Sequence, residues 1–333
     1  MTTQEITTTM RAYAQDRFGP LTDLELREVP VPQPGAGEVL VQVTAAGVDP
    51  SIWHLVTANP RMVRLVWGRW GRPKWPVPGW DLSGTVVRVG PSVTELSVGD
   101  RVVGQARGTF QEYAVAPVST LVTVPDPLDL TAVAALPVSG VTAYQAVESV
   151  QPGPGKRIAV IGAGGGVGGF AVQLAARAGA EVTAVCSAGK ADLVRGLGAS
   201  EVIDYRATDV TESGRTFDGI IELAGRRPQG ALRRLLTKRG RLVVVGGEPT
   251  GTEWLGMGRM LQATLSNPFV PQHLHGLVAT MPKETLQELV DLLAAGDLRV
   301  PLDRAFPFEA AVEAVQFVRD GHPHGKVVVA VGG

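Results

Sequence analysis

Residues 157–186 read RIAVIGAGGGVGGFAVQLAARAGAEVTAVC. The apolar run Arg157–Ile161 is strand-sized and ends in a stretch with five glycines in seven residues, 162–168. A helix-like stretch follows, with Val167, Phe170, Ala171, Leu174, Ala175 and Ala178 at the i, i+3, i+4 spacing of one face. The apolar run EVTAVC comes next. Strand, glycine turn, amphipathic helix and second strand within about 30 residues are the context that gives a glycine-rich fingerprint its meaning. Glycines allow the tight turn and bring amide N–H groups close to a pyrophosphate, whose charge the helix N-terminus stabilises. The plainer reading, a glycine turn before a packed helix, leaves the backbone entropy cost of so many glycines unexplained.

Downstream, EVIDY (201–205), DGIIEL (218–223) and RLVVVG (241–246) are near-continuous apolar runs separated by helical stretches. Strands apolar on both faces and spaced by helices fit a parallel sheet covered on both sides, a doubly wound α/β domain. Upstream, to about residue 130, EVLVQV (38–43), GTVVRVG (84–90), RVVG (101–104) and EYAVAP (112–117) alternate with turn signals and lack long amphipathic helices between them. That portion reads as a β-rich, barrel-like domain. The terminal run KVVVAV (326–331) looks like a return to it. The expected division is therefore residues 1–132 with 298–333 for the β-rich domain and 133–297 for the Rossmann-type domain.

A length of 333 residues suits about two domains. With 31 basic against 32 acidic residues, nothing draws the chain as a whole to nucleic acid or acidic lipid. No run reaches the roughly 18 apolar residues of a membrane span, and the first residues lack the pattern of a secretory signal. The single cysteine, Cys186, excludes an internal disulfide and fits a reducing compartment. Neither a nucleic-acid nor a membrane partner is expected, and a cytoplasmic location is.

The choice of dinucleotide turns on the end of the second strand. NAD sites usually carry an acid there for the ribose hydroxyls; here the chain reads Cys186, Ser187, Ala188, Gly189, Lys190, and no acid comes before Asp192. Ser187 can hydrogen-bond a 2′-phosphate and Lys190 can offset its charge, which favours NADPH over NADH. Taken alone, Lys190 also reads as a solvated lysine at a helix start.

Nine ordered segments carry a resemblance that spans nearly the whole chain: PGAGEVLVQVTAAGVDP, PGWDLSGTVVRVG, SVGDRVVG, GTFQEYAV, ALPVSGVTAYQAV, GAGGGVGGFAVQLA, LGASEVIDYR, GRLVVVGG and GKVVVAV. The sequence resembles the zinc-free members of the medium-chain dehydrogenase/reductase superfamily, in the quinone oxidoreductase-like branch that includes zeta-crystallin. The resemblance implies a GroES-like catalytic domain built from both chain ends, a Rossmann domain in the middle and a cleft between them. It implies that Ala163, Gly164, Gly165, Gly166, Val167 and Gly168 wrap the pyrophosphate, and that Thr142 with the backbone at Gly246 and Gly247 holds the nicotinamide end. Lys190 and Tyr205 match positions that grip the 2′-phosphate in similar NADPH enzymes.

The departures bear on chemistry. Zinc-dependent relatives carry a cysteine ligand in the segment matching GVDPSIW and a histidine ligand in that matching PGWDLSG; here those positions are Asp49 and Trp80. A catalytic zinc needs about three protein ligands, so no metal is expected. The zinc-free branch often has Asn-Pro-x-Asp where this chain has Asp49-Pro50-Ser51-Ile52. A carboxylate at Asp49 accepts hydrogen bonds but donates only when protonated.

Without a metal, polarising a carbonyl falls to hydrogen-bond donors, which suffices for a quinone or α,β-unsaturated carbonyl that spreads the incoming charge onto oxygen. The expected reaction is hydride transfer from NADPH to such an acceptor. Ser51 is a candidate donor to the oxyanion or a plain turn residue; Asp49 is a cap, a substrate-positioning group or a proton relay. Trp53, Trp67, Trp70, Trp75 and Trp80 interleave with basic residues. They offer flat surfaces to a planar acceptor or simply pack a loop onto the barrel. Trp53 and Trp80 lie in cleft-forming segments by resemblance. A zinc-independent alcohol dehydrogenase, an enoyl-thioester reductase and a non-catalytic NADPH-binding protein are the alternatives. The apolar stretch from Trp254 to Met281 is a candidate for the strand edge through which similar enzymes form homodimers.

Overall fold

The computed structural model describes residues 7–59, 63–69, 72–225, 227–246, 257–321 and 323–332. The chain divides into two compact units: residues 1–138, 281–295 and 302–333 form the first, 139–280 and 296–301 the second. Among the described residues no helix is long and apolar enough to cross a membrane.

The first unit is built on a seven-stranded sheet whose central strand, Glu38–Val48, is paired along both edges. Asp81–Val89 lies antiparallel along one edge; Tyr113–Pro117 and Lys326–Ala330 share the other. Val39, Leu40 and Val41 are all fully buried in succession, as a central strand covered on both faces requires. Arg101–Gln105 and Leu121–Thr123 extend the sheet past Asp81–Val89, and Leu302–Pro307 runs parallel to Lys326–Ala330 at the far end. Residues from both chain ends thus complete one sheet. The core includes Val43, Ile52, Leu82, Phe110, Phe308 and Val327. The helix Lys283–Ala294, with Leu286, Leu289, Val290 and Leu293 buried, packs on Leu121–Thr123.

The second unit has six parallel strands. In spatial order they are Glu201–Asp204, Glu181–Cys186, Arg157–Ile161, Phe217–Glu222, Leu236–Val244 and His273–Gly276. In sequence terms this is 3-2-1-4-5-6, the doubly wound order, and its topological switch point falls between Arg157–Ile161 and Phe217–Glu222. The helix Gly166–Arg177 is covered on more than one face: Val172 and Gln173 are buried alongside Phe170, Ala171, Leu174 and Ala175. Gln173 donates to the carbonyls of Gly169 and Arg299 and accepts from Arg299 N, which ties residues 296–301 to this helix. Two of the expected stripe residues are not buried. Val167 sits in the first turn, and Ala178 is the C-cap, already past the end of the helix.

Candidate active site

In the second unit the glycine turn is shaped by close approach. Gly162 has φ +92°, and its amide and that of Ala163 donate to Val185 O at 3.0 and 3.2 Å. A methyl group on Gly168 would lie 2.2 Å from Gly162 O and 2.7 Å from Ala163 Cα, so only glycine lets the helix start this close to the turn. Gly165 is the N-cap and has no side chain to satisfy the first helical N–H groups. The amides of Gly166, Val167 and Gly168 are therefore left for an acceptor outside the helix, which is the donor set a phosphate takes. Ala163 and Gly164 are buried.

Around this turn stand the residues expected to select the dinucleotide. A methyl on Gly164 would meet Lys190 Cδ at 2.4 Å, so the lysine stem lies directly over the turn. Ser187 opens the short 3-10 segment Ala188–Lys190 without capping it by its side chain, and its carbonyl accepts from Lys190 N at 2.9 Å. The register Cys186↔Asp204 brings the next residues together at the same sheet end, where Tyr205 N donates to Cys186 O at 3.2 Å. The guanidinium of Arg206 sits 5.9 Å over the Tyr205 ring. Arg206 is a second cation here that sequence reading passed over; the signal was a basic residue directly after Tyr205. Burial raises the Cys186 thiol above its usual range, against a lowering by Lys190.

Gly246 has φ +62°, while Gly247 lies outside the described residues. Thr142 is buried in the helix Pro137–Val150. Glu222, also not foreseen, ends the strand at the switch point fully buried. Its Oε1 accepts from Ala224 N and Gly225 N at 2.8 Å each, and its Oε2 has no partner among the described residues. Burial holds this carboxyl above the ordinary range.

In the first unit, Asp49 caps the helix Pro50–Thr57, with Oδ1 accepting from Ser51 N at 2.8 Å and Pro50 at the first helical position. Asp49 Oδ2 is buried and has no partner among the described residues. Ser51 is exposed, and Ile52 is fully buried in the core. Beneath the helix start lies Asp81, wholly buried, accepting from Val138 N at 2.9 Å and Gln105 Nε2 at 3.2 Å. Burial pushes its carboxyl up to about 7, partly countered by Lys326 and reinforced by Asp49.

The tryptophans divide. Trp80 joins Trp67 and Trp75 in a mutual cluster with ring centroids 5.0 to 6.5 Å apart. These rings line a pocket with Phe18, Pro78 and Arg107, whose guanidinium lies 4.7 Å over Trp75. Trp53 is elsewhere: it stacks on His54 and lies under Arg319 of the helix Ala311–Arg319. Trp70 and Trp254 fall outside the described residues.

At the position of the family's histidine ligand Trp80 offers only an N–H donor, and no group of three His, Cys, Asp or Glu side chains able to hold a metal occurs among the described residues.

Two family profiles match: the alcohol dehydrogenase GroES-like domain over residues 35–126 and a zinc-binding dehydrogenase domain over residues 197–329. The chain is 34% identical to the chloroplastic quinone-oxidoreductase QR1 of Triphysaria versicolor, over 96% of this chain and 98% of the relative. It is 32% identical to the mitochondrial NAD(P)H oxidoreductase RTN4IP1 of Mus musculus, over 99% and 91%. Among solved structures, the quinone oxidoreductase from Coxiella burnetii superposes with a TM-score of 0.85 at 27% identity, covering 97% of this chain and all of that one. The chain belongs to the medium-chain dehydrogenase/reductase superfamily, in its quinone oxidoreductase-like branch.

Proposed function

We propose that this oxidoreductase uses NADPH to reduce quinones or α,β-unsaturated carbonyls, with hydrogen-bond donors taking the place of a metal. One observation carries the cofactor choice: Lys190 lies across Gly164, Ser187 directly follows the second strand, and no acidic residue follows that strand in sequence before Asp192. A 2′-phosphate finds two hydroxyls, Lys190 and Arg206 there, where an NAD site would present an acid. The N–H groups at Gly166–Gly168 hold the pyrophosphate, and Thr142 with the backbone at Gly246 and Gly247 holds the nicotinamide end.

When bound, the dinucleotide supplies a hydride from its nicotinamide ring. The protein orients the acceptor, excludes water and stabilises the oxygen on which charge develops. Trp80, with Trp67 and Trp75, supplies the flat apolar face suited to a planar acceptor, and the exposed hydroxyl of Ser51 is the donor to the developing oxyanion. The protein acts as a homodimer through the edge strand His273–Gly276, beside which Leu261, Leu265, Phe269 and Val278 stand exposed.

NADPH oxidation is followed with a naphthoquinone, a simple enone and an enoyl thioester in parallel. Turnover fastest on the quinone or enone is expected. Preference for the thioester moves the assignment to an enoyl-thioester reductase, and dinucleotide binding without turnover on any acceptor removes the enzymatic reading.

A further inference from the structure

The stretch between Asp49 and Asp81 carries five basic residues, Arg61, Arg64, Arg69, Arg72 and Lys74, and no acidic one, in a chain whose charges otherwise balance. Three of its tryptophans, Trp67, Trp75 and Trp80, line one pocket of the first unit together with Phe18, Leu55 and Arg107. Backbone pairing fixes part of the wall: Ala106 N donates to Trp80 O at 2.9 Å and Gly108 N to Gly79 O at 3.0 Å, which holds the Arg107 backbone beside Gly79 and Trp80. A methyl on Gly79 would lie 2.2 Å from Thr109 Oγ1 and one on Gly108 3.1 Å from Val77 Cβ, so these two turns approach about as closely as glycine allows. Gln15, also in the wall, donates through its backbone N to Pro76 O at 3.0 Å and through Nε2 to Val56 O at 3.2 Å.

Cations outnumber acids around this pocket. Arg107 is exposed, lies 4.7 Å over the Trp75 ring and makes no hydrogen bond or ion pair among the described residues. Lys74 lies 4.8 Å over the same ring, and Arg64 6.0 Å over Phe18. Arg17 and Arg72, next in sequence to the lining residues Phe18 and Pro73, border a second cavity with Asp16. The acids nearest in sequence are Asp16, paired with Arg27 at 2.9 Å, and Asp23, whose carboxylate lies against Gly19; neither lines the aromatic pocket. A guanidinium held on a ring keeps its in-plane N–H donors free for a carboxylate or sulfonate, and it is more weakly hydrated than an ammonium. Apolar walls strengthen such a pair by excluding water from one side, and the other cations raise the local potential for an anion. The three rings, with centroids 5.0 to 6.5 Å apart, wall one slot rather than forming the spaced platforms on which successive bases of a single strand stack.

We propose that this pocket selects planar aromatic acceptors that carry a negative charge, as a sulfonate, a carboxylate or an ionised enol, and that Arg107 is the residue that reads the charge. The proposal rests on the reading that the acceptor lies on Trp67, Trp75 and Trp80. The ring system takes the apolar walls, and the anionic substituent meets the guanidinium at the exposed rim. There the charge is paired without being stripped of all its water, which avoids the penalty of a fully buried ion pair. A neutral acceptor of the same shape keeps the apolar contact and lacks the ion pair.

Calorimetric titration with two inert probes of equal shape, naphthalene-2-sulfonate and naphthalene-2-sulfonamide, measures the preference without any turnover. The sulfonate is expected to bind at least about tenfold more tightly, by an amount that shrinks as salt is raised. Arg107→Met should bring the two probes within about twofold of each other, and Arg107→Lys should restore part of the difference. Lys74→Met should leave the difference almost unchanged, since Lys74 touches Trp75 but does not line the pocket. Equal affinities in the wild-type protein, no binding of either probe, a preference that survives Arg107→Met, or one lost equally in Lys74→Met overturns the proposal. Displacement of the sulfonate by an oligothymidylate at lower concentration overturns it in favour of single-stranded nucleic acid. The two readings fail separately. NADPH turnover of a neutral naphthoquinone with no charge preference removes this proposal and keeps the reductase; charge-selective binding with no turnover on any acceptor keeps an aromatic-anion site and removes the reductase.

Discussion

Gly168→Ala tests the phosphate cradle by geometry alone. The added methyl would start 2.2 Å from Gly162 O, whereas ordinary contact begins near 3.4 Å, so helix and turn must separate by about 1 Å. Overpacking of this kind costs about 1–3 kcal/mol, and alanine in place of a helical glycine returns about 1 kcal/mol. The unit therefore stays folded, and binding can be read separately from stability. The amides at the helix start move with the helix, and a hydrogen bond lengthened by about 1 Å from its usual 2.9 Å is lost. One charge-assisted bond is worth about 1.5–3 kcal/mol, so NADPH affinity should fall roughly 10- to 150-fold. Fluorescence titration of the purified variant, alongside a melting curve to confirm folding, measures this. A dissociation constant within about twofold of wild type would show that these amides do not hold the dinucleotide.

Lys190→Ala should weaken NADPH at least about tenfold while leaving NADH almost unchanged; equal loss for both would remove the 2′-phosphate assignment. Trp80→Ala should raise KM for an aromatic quinone several-fold more than for a small enone, while Trp53→Ala should lower the melting temperature and spare KM. Reversed behaviour of the two variants in steady-state kinetics would move the acceptor to the other tryptophan. Because burial holds the Asp81 carboxyl at about 7 against an ordinary 3.8, the folded chain keeps a proton that the unfolded chain releases. That contribution is complete below about pH 4 and disappears as pH rises to about 7, a loss of the order of 4 kcal/mol at most. Melting temperature should fall across that window in the wild type and fall less in Asp81→Asn, as pH-resolved calorimetry will show. If the proposed homodimer forms through the edge strand His273–Gly276, Phe269→Asp should lower the mass seen by light scattering toward that of a monomer; an unchanged mass overturns that contact.

The glycine turn and the two sheets were legible because their signals are local. Spacing alone sets the strand, turn and helix of residues 157–186, and runs apolar on both faces identify covered strands. The sorting of the tryptophans was not legible. Trp53 and Trp80 look alike in composition, yet Trp53 rides on the helix Pro50–Thr57 toward Arg319, while Trp80 follows a turn into a cluster with Trp67 and Trp75. Asp81 and Lys326 escaped notice for a related reason. They reach Asp49 through the pairing of three strands distant in sequence, and register leaves no mark on any one of them. Asp49 itself reads from sequence as a cap or a relay, and the cap is visible on Oδ1.

The placement of Lys326–Ala330 has a consequence for how the protein is made. This strand lies between Leu302–Pro307 and Glu38–Val48, so the sheet of the first unit keeps an open seam until residues 326–330 have been synthesised. On the ribosome the later parallel-sheet unit can assemble while the earlier segment waits with an unpaired edge. Deleting residues 326–330 would leave that edge permanently uncovered, and aggregation during expression, rather than a mere loss of rate, would be the first sign.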